Sequence, residues 1–250
     1  MSNNNFIYTI LFIIFIFLLM SNKIVKETFE NIPRNVFILW EKNLPPIMSK
    51  NITKMKNENP DFLIQIKDEN DCYNFIKKNF PDETFKAYSC LIPKAYKSDL
   101  ARLCFLYILG GIYIDAKFAI PKNISLSSIS NQEHFVQDIP KSGSGIYNGF
   151  IVCKPKNSEI LSVINQITKN VKEKYKGDSS LDITGPNLHK KYITKNIDFN
   201  LIDNNSKVKI LDKNGNVLLY EYPEYRMEQE KYGHGERYND LWRKDNIYSC

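Results

Sequence analysis

Two carboxylates, Asp99 and Asp115, and two cations, Arg102 and Lys117, stand out within a stretch that is mostly apolar. In KSDLARLCFLYILGGIYIDAKF, residues 97–118, Asp99 and Arg102 lie three apart, and Asp115 and Lys117 lie two apart. Residues three apart share a helix face, so the first pair reads as a salt bridge on a solvated edge. Yet the helix that carries them is so apolar that it must be largely buried. Buried charges need partners, and a ligand's phosphates or hydroxyls are natural ones. Asp115 ends the short apolar run IYID. In open α/β sheets ligands bind beyond the carboxyl ends of the strands, where the strand order reverses. A second carboxylate two residues further on would complete a metal-binding pair, but Lys117 stands there.

These residues need a scaffold, and the apolar patterning supplies one. NVFILW (35–40) reads as a buried strand, and the apolar spacing after Pro45 and Pro46 predicts a helix that stops near Pro60. FLIQIKD is a second strand. Residues 69–79 are helical, with Cys72, Phe75 and Ile76 on one face. The spacing predicts a helix over 98–109, capped by Ser98 and ended by Gly110 and Gly111. IYID, HFVQDI and YNGFIVCK are further strands. Residues 157–174 form an amphipathic helix, and TGPNLHKKYI opens another. KVKILDKNGNVLLYEY is a hairpin turning at Asn214-Gly215. A Tyr-rich stretch and a short helix near 238–244 close the chain. Strands alternating with helices through the first 120 residues predict an α/β fold, parallel in its N-terminal half and mixed later.

Composition bounds the rest. The chain has 250 residues, 43% hydrophobic and 25% charged, with net charge +6. That fits one globular domain over residues 32–250. The surplus is Lys, spread without a block. A mildly basic surface favours nucleotides, phosphates or acidic lipids. No basic stripe interleaves with aromatics, so nucleic acid is not an expected partner. FIYTILFIIFIFLLM (6–20) has no charge, and residues 1–25 are expected to form a single-pass membrane anchor with a spacer at 26–31. A cleaved signal peptide is the alternative, although no basic n-region precedes the run. Lys23 and Lys26 follow it, which by the positive-inside rule would put the domain on the cytoplasmic side, but no basic side chain precedes the run and the orientation stays open. Five scattered cysteines contain no CxxC pair and give no disulfide framework, though one pairing stays open.

Taken together, IPRNVFILW, NPDFLIQIKDEND, KSDLARLCFLYILGGIYIDAKF, YNGFIVCKPKNSEIL and ITGPNL resemble, in order, the family-32 glycosyltransferases with the DXD sugar-binding motif. The resemblance covers about residues 32–195. It implies a GT-A fold, a Rossmann-like sheet flanked by helices. It also implies a GDP- or UDP-sugar donor, a glycan or glycolipid acceptor, and transfer of a hexose, mannose being one candidate, with retention of configuration. Position by position, it implies that Asp99 binds donor hydroxyls and Arg102 the ribose or diphosphate. Trp40 and Tyr113 belong to the donor side, and Gly110 and Gly111 allow close backbone approach. Asp115, Lys117 and Asn148 stand at the reacting centre, and Gly149, Thr184, Gly185 and Pro186 on the acceptor side. A divalent cofactor, Mn2+ or Mg2+, is implied with Asp115 as ligand. Lys117 departs from the motif and leaves three readings. Asp115 holds the metal with a distant ligand such as His234. The Lys117 ammonium itself neutralises the diphosphate. Or catalysis is lost and the protein only binds a nucleotide sugar or glycan. YGHGERYNDLW is either a surface tail with a docked Trp242 or a flap bringing His234 and Trp242 to the diphosphate. His134 and His189 read as ordinary surface or helix residues.

Overall fold

A computed structural model of the chain describes residues 31–139, 145–203, 207–233 and 235–250. The expected anchor over 1–25, all but the last residue of the spacer, and His234 lie outside these. Among the described residues no helix is long and apolar enough to cross a membrane.

The chain runs β1 (Asn35–Leu39), α1 (Pro46–Glu58), β2 (Leu63–Lys67), α2 (Glu69–Asn79), α3 (Asp82–Cys90), α4 (Lys94–Leu109), β3 (Gly111–Ile114) and β4 (Phe118–Ala119). It continues through β5 (His134–Gln137), β6 (Ile146–Cys153), α5 (Ser158–Lys172), α6 (Pro186–His189) and β7 (Ile197–Asp203). β8 (Val208–Leu211), β9 (Val217–Glu221), α7 (Tyr225–Tyr232) and α8 (Tyr238–Arg243) complete it.

The strands form one sheet in the order β2-β1-β3-β6-β5-β7-β8-β9-β4. β1 pairs in parallel with β2 on one side and β3 on the other, so the strand order reverses beside β1. β6 then runs antiparallel to both β3 and β5, and β7, β8 and β9 form an antiparallel run. The sheet is therefore mixed, as the later strands and the hairpin predict. Successive strand side chains point to opposite faces. Phe37 and Tyr113 enter the apolar layer under α2–α5, while Val36, Ile38, Ile112 and Ile114 meet Met48, Ile52 and Met55 of α1.

α4 begins one turn earlier than its apolar pattern predicts. Pro93, not Ser98, holds the N-cap position. Tyr96 explains the extra turn: it is buried, and its hydroxyl donates to the Ser180 carbonyl at 2.7 Å. Gly110, at φ +62°, ends the helix as predicted. α3, β4, β7 and α7 escape the sequence reading. The TGP segment gives only the single turn of α6. One cysteine pair does form, Cys90–Cys250, and it seals the C-terminal tail beside α3, where Ser249 N–H donates to the Cys90 carbonyl.

Candidate active site

A cleft of about 310 Å³ opens where the carboxyl ends of β1, β2 and β3 meet. Trp40 follows β1 into it, Lys67 and Asp68 close β2 beside it, and Asp115 ends β3 at its floor. This is the edge at which an open α/β sheet binds ligands. Tyr225 and Tyr232 of α7 form the opposite wall. Buried Glu228 fastens that helix. Its carboxylate accepts from the N–H groups of Ile47 and Met48 at 2.7 and 3.0 Å, and from the Tyr222 hydroxyl at 2.8 Å. Those amides belong to the first turn of α1, which has no side-chain cap of its own. A negative charge there satisfies orphan donors and suits the helix dipole.

Asp115 is approached from both faces of the sheet. Its Oδ1 accepts from the Tyr113 hydroxyl at 2.9 Å and from Arg102 Nη1 at 3.3 Å. Its Oδ2 accepts from the Tyr147 hydroxyl at 3.1 Å and lies 3.7 Å from Lys117 Nζ. Each oxygen thus faces one phenol and one cation. Burial, with Asp115 adding to it, holds both phenols protonated well above their usual range. The main chain is fixed too, because the Asp115 N–H donates to the Gly149 carbonyl at 2.8 Å. A Cβ on Gly149 would fall against the Tyr147 hydroxyl and Asp115 Oδ2, so glycine is required there for space.

Asp99 and Arg102 do pair, at 3.1 Å, but deep inside rather than on a solvated edge. Their remaining partners come from the protein. Arg102 donates to the Ser98 and Asn148 carbonyls at 3.1 and 2.7 Å, and its guanidinium lies 4.3 Å from the Tyr113 ring centre. Asp99 accepts from Asn148 Nδ2 at 2.9 Å and from Thr184 Oγ1 at 2.7 Å. Burial pushes the Asp99 carboxyl up to about 6, against the pull of Arg102, Thr184 and Asn148. These contacts form a network that ties α4 to β6 and to the loop before α6.

Of the residues expected at the site, Trp40, Arg102, Tyr113 and Asp115 line the cleft. Lys117, Asn148 and Gly149 adjoin Asp115, while Asp99 and Thr184 stand behind Arg102 in the network. Gly110 and Gly111 do not reach the cleft. They lie at the other end of β3, against Pro155 and Asn35, where a Cβ would clash. Gly185 caps α6, and Pro186 packs against Gly145. Trp242 is docked, donating to the Lys176 carbonyl at 2.9 Å, and does not line the cleft. His189 is a helix residue, as read, and is buried in α6, whereas His134 is neither on the surface nor in a helix but buried at the start of β5. The reading missed Tyr147, Tyr225 and Lys67. Tyr147 carried a signal, standing directly before Asn148 in a predicted strand.

The donor set around Asp115 does not fit a divalent metal. Among the described residues no three His, Cys, Asp or Glu side chains converge. The four groups that face Asp115 are all donors, and two are cations. A metal here would have to displace them and sit beside like charge. The other expected ligand, His234, lies outside the described residues.

The fold, a mixed sheet flanked by helices, is similar to that of glycosyltransferase structures. The PaToxG glycosyltransferase superposes with a TM-score of 0.51 at 16% identity, over 70% of this chain and 75% of that one. The UDP-bound glycosyltransferase domain from the YGT toxin gives a TM-score of 0.39 at 10% identity, over 56% of this chain and 62% of that one. In sequence, 94 residues are 31% identical to an uncharacterized glycosyltransferase of Acanthamoeba polyphaga mimivirus, and the match spans 38% of each chain. Residues 14–213 match the family described as capsular polysaccharide synthesis protein, and the chain belongs to that family.

Proposed function

We propose that the chain is a glycosyltransferase that moves a hexose from a GDP- or UDP-sugar to a glycan or glycolipid acceptor. The observation that carries the reading is the cleft at the carboxyl ends of β1–β3, with Asp115 at its floor and Trp40 on its wall. Trp40 supplies an aromatic surface for a base, and Lys67 a cation without a carboxylate in ion-pair range among the described residues. The family description and the name of the mimivirus relative support a glycan product and glycosyl transfer. Retention of configuration, and mannose as the hexose, rest on the resemblance of the motifs alone. The apolar run at 6–20 supports a membrane anchor. The Cys90–Cys250 disulfide favours an oxidising compartment for the domain, opposite to the side that Lys23 and Lys26 imply.

The test is a panel of nucleotide sugars incubated with the full chain in detergent, with and without Mn2+. Release of nucleoside diphosphate from one member, without acceptor, is the expected result. Binding without release would establish the inactive binder instead. If no member is bound or cleaved, the reading is wrong.

A further inference from the structure

Lys117 is loosely held against Asp115, the carboxylate at the floor of the cleft, whereas Arg102 on the other oxygen of Asp115 is already committed. Arg102 gives hydrogen bonds to the Ser98 and Asn148 carbonyls and to Asp115, and pairs with Asp99. Its single charge is shared between two carboxylates. Among the described residues Lys117 has one ion pair, to Asp115 at 3.7 Å, which is longer than a hydrogen bond. Its ammonium lies 5.3 Å from the ring centres of both Tyr147 and Phe118. Asp138, buried at the end of β5, is a second carboxylate within electrostatic reach of it. The backbone beneath is fixed: the Lys117 carbonyl accepts from Tyr222 N–H, and Phe118 and Ala119 pair with β9. So the chain delivers a flexible, three-donor point charge from a rigid base.

We propose that Lys117 supplies the positive charge for the leaving diphosphate, so that this site binds and releases its donor without a divalent metal. The inference rests on the reading of the chain as a nucleotide-sugar transferase. In that transfer the bond from the anomeric carbon to the β-phosphate oxygen breaks, and its electron pair stays on that oxygen. The acceptor hydroxyl oxygen bonds to the anomeric carbon, and its proton passes to the departing phosphate. Negative charge builds on the phosphate, where a positioned cation stabilises the transition state most. Asp115 in this arrangement aims the cations rather than ligating a metal. Its crowded donors and the missing second carboxylate then have one cause.

The experiment is calorimetric titration of the full chain in detergent with UDP and GDP, first in chelator and then in Mn2+, with UMP and GMP as controls. The parent is expected to bind one diphosphate in chelator, tightening less than twofold in Mn2+. Lys117→Gln should weaken diphosphate binding about tenfold or more in chelator, as for a lost charge-assisted contact. It should leave the monophosphates and the melting temperature little changed. Lys117→Arg should retain most of the affinity, and Lys117→Asp should make binding depend on Mn2+. Parent binding that requires Mn2+ overturns the proposal but keeps the donor reading. Lys117→Gln binding like the parent in chelator also overturns it. If the parent binds neither diphosphate in either condition, the donor reading itself falls.

Discussion

Replacing Arg102 by Met tests whether the buried charges serve the fold before they serve a ligand. Met keeps much of the apolar stem and removes the guanidinium. The variant loses the contacts to Ser98, Asn148, Asp115 and Asp99 in one step. Asp115 keeps both tyrosines and Lys117, so its deficit is small. Asp99 keeps Thr184 and Asn148 but loses the one ion pair it makes among the described residues, in a buried place. Breaking a buried pair by removing one partner costs about 3–5 kcal/mol. At about 2–4 °C per kcal/mol for a domain of this size, a mid-range loss lowers the melting temperature by about 8–16 °C. The deficit should depend on pH. The Asp99 pKa stands at about 6, above its ordinary value of 3.8, and loss of Arg102 raises it further. A carboxyl raised on folding destabilises at high pH, and that cost is relieved as pH falls through its folded pKa. Urea and thermal unfolding of the full chain in detergent, at pH 7.5 and 5.0, should show the larger loss at pH 7.5. A variant that melts within about 2 °C of the parent at pH 7.5, against the shift worked above, would refute the idea that this network supports the fold.

Three further outcomes are expected. Gly149→Ala should abolish most donor turnover and cost about 1–3 kcal/mol by overpacking, because its methyl falls on Tyr147 and Asp115 Oδ2; parent-like turnover would show that Asp115 can move freely. Cys250→Ser opens a disulfide of sequence separation 160, for which chain entropy sets a ceiling of about 5 kcal/mol; an unchanged melting temperature in both the variant and reductant would show that the tail contributes nothing. His189 is fully buried, near the Thr184 backbone but without hydrogen-bond geometry, and burial with Arg102 lowers its pKa from 6.5 to about 3. Its neutral form is stabilising above pH 6.5 and that contribution fades as pH falls towards 3, so the gap between His189→Phe and the parent should move about 2 kcal/mol in the variant's favour from pH 7.5 to 5.0. A constant gap in urea unfolding would refute the assignment. Asp99, with the opposite sign over pH 6 to 4, partly masks this in the parent alone.

The sequence was readable wherever local pattern and tertiary fate agree. β1 and β3 are apolar runs because both faces of the sheet are covered there, and Gly110 marks the end of α4 because its φ is +62°. α4 was misplaced at its start because Lys94 and Lys97 are polar and only the buried ring of Tyr96 commits that turn to the helix. α7 carries too little apolar patterning to signal a helix, and it is held from outside by the contact of Glu228 with α1. The disulfide joins residues 160 apart, beyond any local cue. At the site, Asp99, Arg102 and Asp115 were identifiable as charges in an apolar setting. Their partners were not, since Asn148 and Thr184 reach Asp99 from 49 and 85 residues away.

The arrangement of those partners bears on how the cleft works. Tyr113 belongs to the apolar layer on one face of the sheet and Tyr147 to the layer on the other. Both hydroxyls end on Asp115, one on each oxygen. The carboxylate is therefore braced across the whole thickness of the sheet. Arg102 completes the Oδ1 side, where it is also tied to Asn148 and Asp99. On the Oδ2 side Lys117 stands beyond hydrogen-bond length. A rigid carboxylate with three firm contacts and one loose cation can release that cation to an arriving anion without itself moving. Catalytic charges held this way need little reorganisation when the reaction occurs. The same bracing explains why Gly149 has no room for a side chain: anything larger would push Asp115 out of the line between the two tyrosines.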